Sequence, residues 1–177
     1  MRLGKLEFTD IHKATNLVAD PVMAMVDENG LAEMYVTEIN PDVSDTAAFC
    51  AEYEVGLDIS ANCVIIEAKR ADKIWYAACM ILATDKVDVN GIVRRQLGAK
   101  RTSFAPMDTT VSLTGMEYGG ITPIGLPSDW PILVDTKVAN LEWAIIGGGI
   151  RKSKLVVGGQ LLAELPNAII LNIRKEI

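Results

Sequence analysis

Histidine is nearly missing from this chain. The one histidine in 177 residues is His12, in a polar and irregular N-terminal stretch. A Ser-His-Asp or Cys-His hydrolytic device would have to be built on that single side chain, so none is expected. Cysteine is scarce too. Cys50, Cys63 and Cys79 are odd in number and show no C-x-x-C spacing. That pattern speaks against a disulfide framework and a clustered zinc site, and for reduced thiols buried as small apolar residues. There is no GxGxxG following a strand and no GxxxxGK[ST], which leaves nucleotide cradling by those loops without support. No metal and no cofactor are expected. The chain also lacks a signal-peptide start and any apolar run long enough to span a membrane, so the cytoplasm is the expected location. Positive charge is in deficit, with 17 Lys and Arg against 23 Asp and Glu. Nucleic-acid-binding domains are commonly basic throughout, so RNA contact here would need a local patch.

Half the residues are hydrophobic, enough for one sizeable core. Residues 1–32 read as an N-terminal extension with one short helix near 14–18, and 33–177 as a single α/β domain. Within it, 33–39 is strand-like, and Ser44 or Asp45 caps a helix that stops near Gly56. The apolar runs 63–68 and 73–83 form a hairpin across a charged turn. Asp88 caps a helix closed by Gly98, 100–105 is a short strand, and Pro106 opens a helix toward Leu113. Strands are expected at 132–135, 144–146, 154–157 and 168–173, with a helix over 160–165. Strands and helices interleave without linker or repeat, which is an α/β pattern.

Segment 114–131 holds four glycines and three prolines in eighteen residues. Glycine outside regular structure lets main-chain N–H groups come close to a ligand, and Pro123 and Pro127 stiffen the same loop. Such a loop either stabilises an ester oxyanion without a titrating side chain or is a long structural connection. A second cluster, Gly147-Gly148-Gly149, ends a strand. The two together suggest loops lining one pocket.

At these residues the chain resembles the YbaK family of free-standing aminoacyl-tRNA editing domains, which is similar to the editing domain of bacterial prolyl-tRNA synthetases. The helix ending Leu97-Gly98-Ala99-Lys100 resembles one family block. The stretch Gly119-Gly120-Ile121-Thr122-Pro123 resembles the family's GxxxP loop. The strand ending at Asp135 and the later Ile146-Gly147-Gly148 turn resemble the last. Together they cover about residues 33–173. The resemblance implies a curved mixed β-sheet flanked by helices, and hydrolysis of the ester of a mischarged aminoacyl-tRNA carrying a small amino acid. It implies no protein nucleophile: loop amides and a lysine ammonium hold the ester while substrate groups assist. An aminoacyl-tRNA synthetase is a further expected partner. The alternative is a tRNA- or synthetase-binding module with a degenerate pocket.

One position departs from the family pattern. Asn62 stands where the resemblance places the pocket lysine, whereas Lys154 stands where several relatives carry an acid. Either the ammonium has crossed the pocket to Lys154, with Asn62 as a neutral partner, or Lys154 is a surface lysine. The expected catalytic set is therefore Lys154, Asn62 and Gly119. Gly120, Thr122, Pro123, Gly147, Gly148 and Glu38 are expected at the substrate, although Glu38 also fits a solvated strand end. Asp135 either pins a loop through backbone N–H bonds or faces the pocket. Arg94, Arg95 and Arg151 are expected to meet tRNA, within a wider set (Lys69, Arg70, Lys73, Lys100, Arg101, Lys152) that reads equally as a solvated face.

Overall fold

The computed structural model describes residues 1–176. A short hairpin opens the chain, β1 (Arg2–Leu3) with β2 (Leu6–Glu7), followed by β3 (Thr9–Asp10) and α1 (Asp20–Asn29). The helix expected near 14–18 is only a tight turn at 15–17. The true helix starts later because Pro21 suits a first helical turn, and it ends at Gly30 with φ +60°. Next come β4 (Tyr35–Glu38) and α2 (Thr46–Tyr53). Of the two candidate caps for α2, Asp45 is the one used: its carboxylate accepts the N–H groups of Ala47 and Ala48.

β5 (Ala61–Arg70) and β6 (Lys73–Leu82) form the long hairpin, with ten residues paired on each side. The turn is shorter than expected, only Ala71 and Asp72. Asp88 caps a wide π-type turn over 89–93 that runs into α3 (Arg94–Gln96). β7 (Arg101–Phe104) and α4 (Met107–Thr114) follow. The chain finishes with β8 (Ile132–Asp135), α5 (Thr136–Ala139), β9 (Ala144–Gly147), β10 (Ser153–Val157), α6 (Gly159–Ala163) and β11 (Ala168–Leu171). Helix α5 has no counterpart in the sequence reading. Its four residues are too few to carry a helical period.

These strands make a mixed five-stranded sheet, β11-β8-β6-β5-β7, and an antiparallel four-stranded sheet, β3-β4-β10-β9. A parallel bridge between Ser60 and Ile145 joins them, so the expected curved sheet is present as two leaves hinged at the start of β5. The main core lies between the leaves, with Ile65, Met80 and Val134 from one, and Val36, Ile146 and Leu155 from the other. Two smaller clusters cover the outer side. Phe49 of α2 packs on Ile145 and Val156, and the 89–93 turn packs on Ile66 and Cys79. Residues 1–32, expected as an extension, are built into this body. β3 pairs with β4, and Ile11, Val22 and Val26 lie in the main core. Among the described residues no helix is long and apolar enough to cross a membrane.

Candidate functional site

On the outer side, between the two covering clusters, a cleft of about 630 Å³ opens where the leaves part. Four consecutive residues of β5, Ala61 to Val64, line it. Side chains alternate across a strand, so a run of four means that the strand's edge itself borders the cavity. The pairing explains why. β7 joins β5 only from Ile66 onward and β9 meets it only at Ser60, so the edge between them is open.

The opposite wall is main chain from the two glycine turns, and these are locked together. Gly149 N–H donates to Gly120 O at 2.7 Å, and Glu117 N–H donates to Gly149 O at 2.9 Å. The Glu117 carboxylate accepts the Arg151 N–H at 2.8 Å. A Cβ on Gly120 would lie 2.5 Å from the backbone of Ile150, and one on Gly147 would lie 2.5 Å from Gly120 O. No other residue fits at either position. Gly119 takes φ +87°, a conformation that favours glycine. The Gly120 N–H is used by Glu117 O. Those of Gly119 and Ile121, both at the cleft, donate to no acceptor among the described residues.

Lys154 provides the charge. It sits on β10 between Thr37 and Gly147 and is only 7% exposed, so the surface-lysine reading does not hold. Its ammonium donates to Ser44 O at 3.1 Å and lies 5.0 Å over the Phe49 ring. Among the described residues no carboxylate comes within ion-pair distance of it. Burial therefore pulls its pKa below the ordinary lysine value, a shift that nearby Cys50 and Asp45 partly oppose. Across the cleft, Asn62 Oδ1 accepts a 2.5 Å hydrogen bond from Thr46 Oγ1. Cys63 also reaches the cavity, but burial pushes its thiol pKa up, so it is no thiolate nucleophile.

Lys154, Asn62, Gly119 and Gly147 thus line one cavity, and Arg151 joins them at the rim with its guanidinium on Pro41 O. Other expected residues lie elsewhere. Gly120 and Gly148 are buried behind the wall. Thr122 is fully buried, its hydroxyl without a partner, because the loop dives inward after Ile121. Pro123 lines a separate cavity against α1. Glu38 is exposed at the end of β4, opposite Ser153, and is a solvated strand end. Asp135 pins the C-terminal segment by accepting from Lys137 N–H, Ile173 N–H and Arg174. Arg94 and Arg95 sit on α3, away from the cleft lining. The sequence reading missed the segment Ser44 to Ala47, whose role depends on contacts with Asn62 and Lys154 far along the chain. Its single local signal was the Asp45 cap.

Fold and cleft together define a mixed α/β domain of two sheet leaves with a cleft where they part. A protein proposed as a trans-editing enzyme for prolyl tRNA synthetase superposes with a TM-score of 0.76 at 15% identity, over 88% of this chain and 96% of that one. The hypothetical protein APE2540 does so with the same score at 19% identity, over 88% and 100%. A signal-transduction protein from Marinobacter aquaeolei VT8, itself assigned only provisionally, gives 0.57 at 16% identity, over 88% of this chain but 30% of its own. No curated protein sequence matches the chain. The chain belongs to the aminoacyl-tRNA editing domain family, whose model matches residues 40–165.

Proposed function

We propose that the protein is an aminoacyl-tRNA deacylase acting in trans on tRNA mischarged with a small amino acid. The observation that carries this reading is the meeting of Lys154, Asn62 and the two glycine turns on one cleft. The ester carbonyl oxygen would lie against the unused N–H groups of Gly119 and Ile121, with the Lys154 ammonium adding positive charge as the oxyanion forms. One such preorganised donor is worth roughly 3–4 kcal/mol. Water adds to the acyl carbon, the bond from that carbon to the ribose oxygen breaks, and the proton lost by the water ends on that oxygen. Nothing in this sequence needs a protein nucleophile, in keeping with a neutral Cys63 thiol. Ala47, Ala61, Val64 and Ala83 give the cleft small apolar walls. Selection among small side chains by such walls is worth ~1–3 kcal/mol per methylene.

Deacylation of a panel of mischarged tRNAs tests the reading. Hydrolysis above background of esters of small amino acids is the expected result, with loss of that activity in Lys154→Ala. A panel that decays only at the rate in buffer would refute it. Salt-sensitive tRNA binding without hydrolysis would instead favour a binding module with a degenerate pocket, the reading that Asn62 supports.

A further inference from the structure

The β7 edge of the five-stranded sheet carries a feature that the cleft does not use. Asn62 and Val64 line the cleft. Farther along β5 the same face is closed, since Ile66 and Ala68 are fully buried and the 89–93 turn packs on Ile66. The exposed way from the cleft toward Arg70 is therefore the sheet edge at β7. Phe104 of β7 lies directly opposite Ile66, so its side chain projects on the same face. It is 65% exposed, the most exposed aromatic side chain among the described residues. Next in exposure is Tyr118, which lines the cleft mouth. Beyond Phe104, at the hairpin end, Lys69, Arg70, Lys100 and Arg101 surround a shallow hollow, and Lys73 pairs with Arg70 in the strand register. Glu67 holds Lys69 in a 2.7 Å ion pair and Asp72 sits in the turn, so five cations face two anions. In a chain of net charge −6 this is a concentrated positive site.

The spacing fits a nucleic acid. Asn62 to Ile66 is four residues and Asn62 to Arg70 is eight, or about 13 Å and 26 Å along the strand. At ~3.4 Å per stacked nucleotide these distances are about four and about eight nucleotides. An RNA whose terminal ester lies in the cleft would then have the last bases of its single-stranded end at Phe104. The first phosphates of its duplex would reach the basic tip.

We infer that the β7 edge is an RNA track: Phe104 is a stacking platform for unpaired 3′-terminal bases, and the β5–β6 tip with Lys100 and Arg101 grips acceptor-stem phosphates. The inference rests on the deacylase reading, since the cleft sets the origin of the track. It gathers part of the expected scatter of basic contacts at one end of the β7 edge, around the hairpin tip, and makes Phe104, not an arginine, the discriminating contact.

The test uses the full chain and three exposed-site variants: Phe104→Ala, Lys100→Glu with Arg101→Glu, and a charge-matched control, Arg2→Glu with Lys13→Glu, on the N-terminal segment. The binding probe is an uncharged RNA microhelix ending in CCA, titrated at low and at physiological salt. The hydrolysis probe is a mischarged aminoacyl-adenosine, too short to reach Phe104. Phe104→Ala is expected to weaken microhelix binding by about 5- to 100-fold. The tip reversal should weaken it further and lower the slope of log affinity against log salt by about 2. Neither should change hydrolysis of the short ester, and the control should bind like the unaltered chain. Unchanged microhelix binding by Phe104→Ala and the tip variant would overturn the inference, as would an equal loss in the control. If the unaltered chain hydrolyses neither the short ester nor a mischarged tRNA, the deacylase reading falls, while the binding comparison still decides the track.

Discussion

Lys154→Met separates the two roles a buried lysine can have. The ammonium makes one hydrogen bond to Ser44 O and one contact over Phe49. A charge-assisted hydrogen bond contributes about 1.5–3 kcal/mol, and a desolvated cation–π contact about 2. Against this stands the desolvation of an ammonium with no carboxylate beside it, a cost of several kcal/mol. The opposing terms are similar in size, so replacement by an apolar chain of like shape should cost no more than about 1 kcal/mol by urea unfolding and can stabilise. Activity should behave otherwise, falling by about 100-fold or more if the ammonium faces the oxyanion. The pH dependence carries a sign. The folded-state pKa is lowered, so between it and the unfolded value the unfolded chain holds more protons, and stability rises with pH. Lys154→Met should abolish that rise. Deacylation, corrected for background, should decline as pH climbs through the same lowered pKa. Full activity in Lys154→Met would refute the reasoning, and so would a large loss of stability with activity per folded molecule intact.

Three other outcomes are expected. Gly120→Ala places a methyl group 2.5 Å from the Ile150 backbone. It should cost about 1–3 kcal/mol by thermal unfolding and abolish deacylation by parting the two turns; a stable, active variant would show that the lock is not needed. Asp135→Ala removes the acceptor of Arg174 and two backbone N–H groups at a fully buried position. It should lose about 3–5 kcal/mol with activity per folded molecule unchanged, so a selective loss of kcat would move Asp135 into the site. Asn62→Lys, placed on Lys154→Met, returns an ammonium to the cleft from the other side and should restore part of the lost rate. In the unaltered background the same change sets two like charges in one cleft, and the active range should shift to lower pH.

The parts of the fold that could be read in the sequence are those fixed within a few residues. Asp45 and Asp88 cap turns three or four residues away, and the hairpin follows from two β-rich runs around a turn. The N-terminal segment was opaque because β3 has two residues, and its place is set only by pairing with β4. The site divides in the same way. Glycine density marked both turns, and the chain order of the blocks marked the family. Nothing local told that Thr122 and Pro123 turn away from the cleft while Gly119 and Ile121 stay, since that depends on Gly120 meeting the backbone of Ile150. Lys154 stood out only as a departure from a pattern. Its burial is a property of α2 lying over β10 through Phe49, which no spacing along the chain encodes.

The architecture explains why so little sequence identity accompanies so close a fold. The cleft wall is main chain, held by hydrogen bonds between two turns and by glycines where a Cβ has no room. Side chains elsewhere can then change without moving an N–H group at the cleft. On the deacylase reading, what remains for side chains is one buried positive charge, beside Arg151 at the rim, and its source is not tied to a single strand. The starts of β5 and β10 open on the same cavity, so Asn62 and Lys154 face one space from two sides. On that reading, a lysine lost from one strand would be replaceable on the other without rebuilding the wall. The requirement is that the new ammonium be shielded enough to stay strong and be held by an acceptor, as Ser44 O holds Lys154. The charge can therefore migrate while the amides cannot, and this is the physical reason to expect the Asn62→Lys and Lys154→Met pair to compensate.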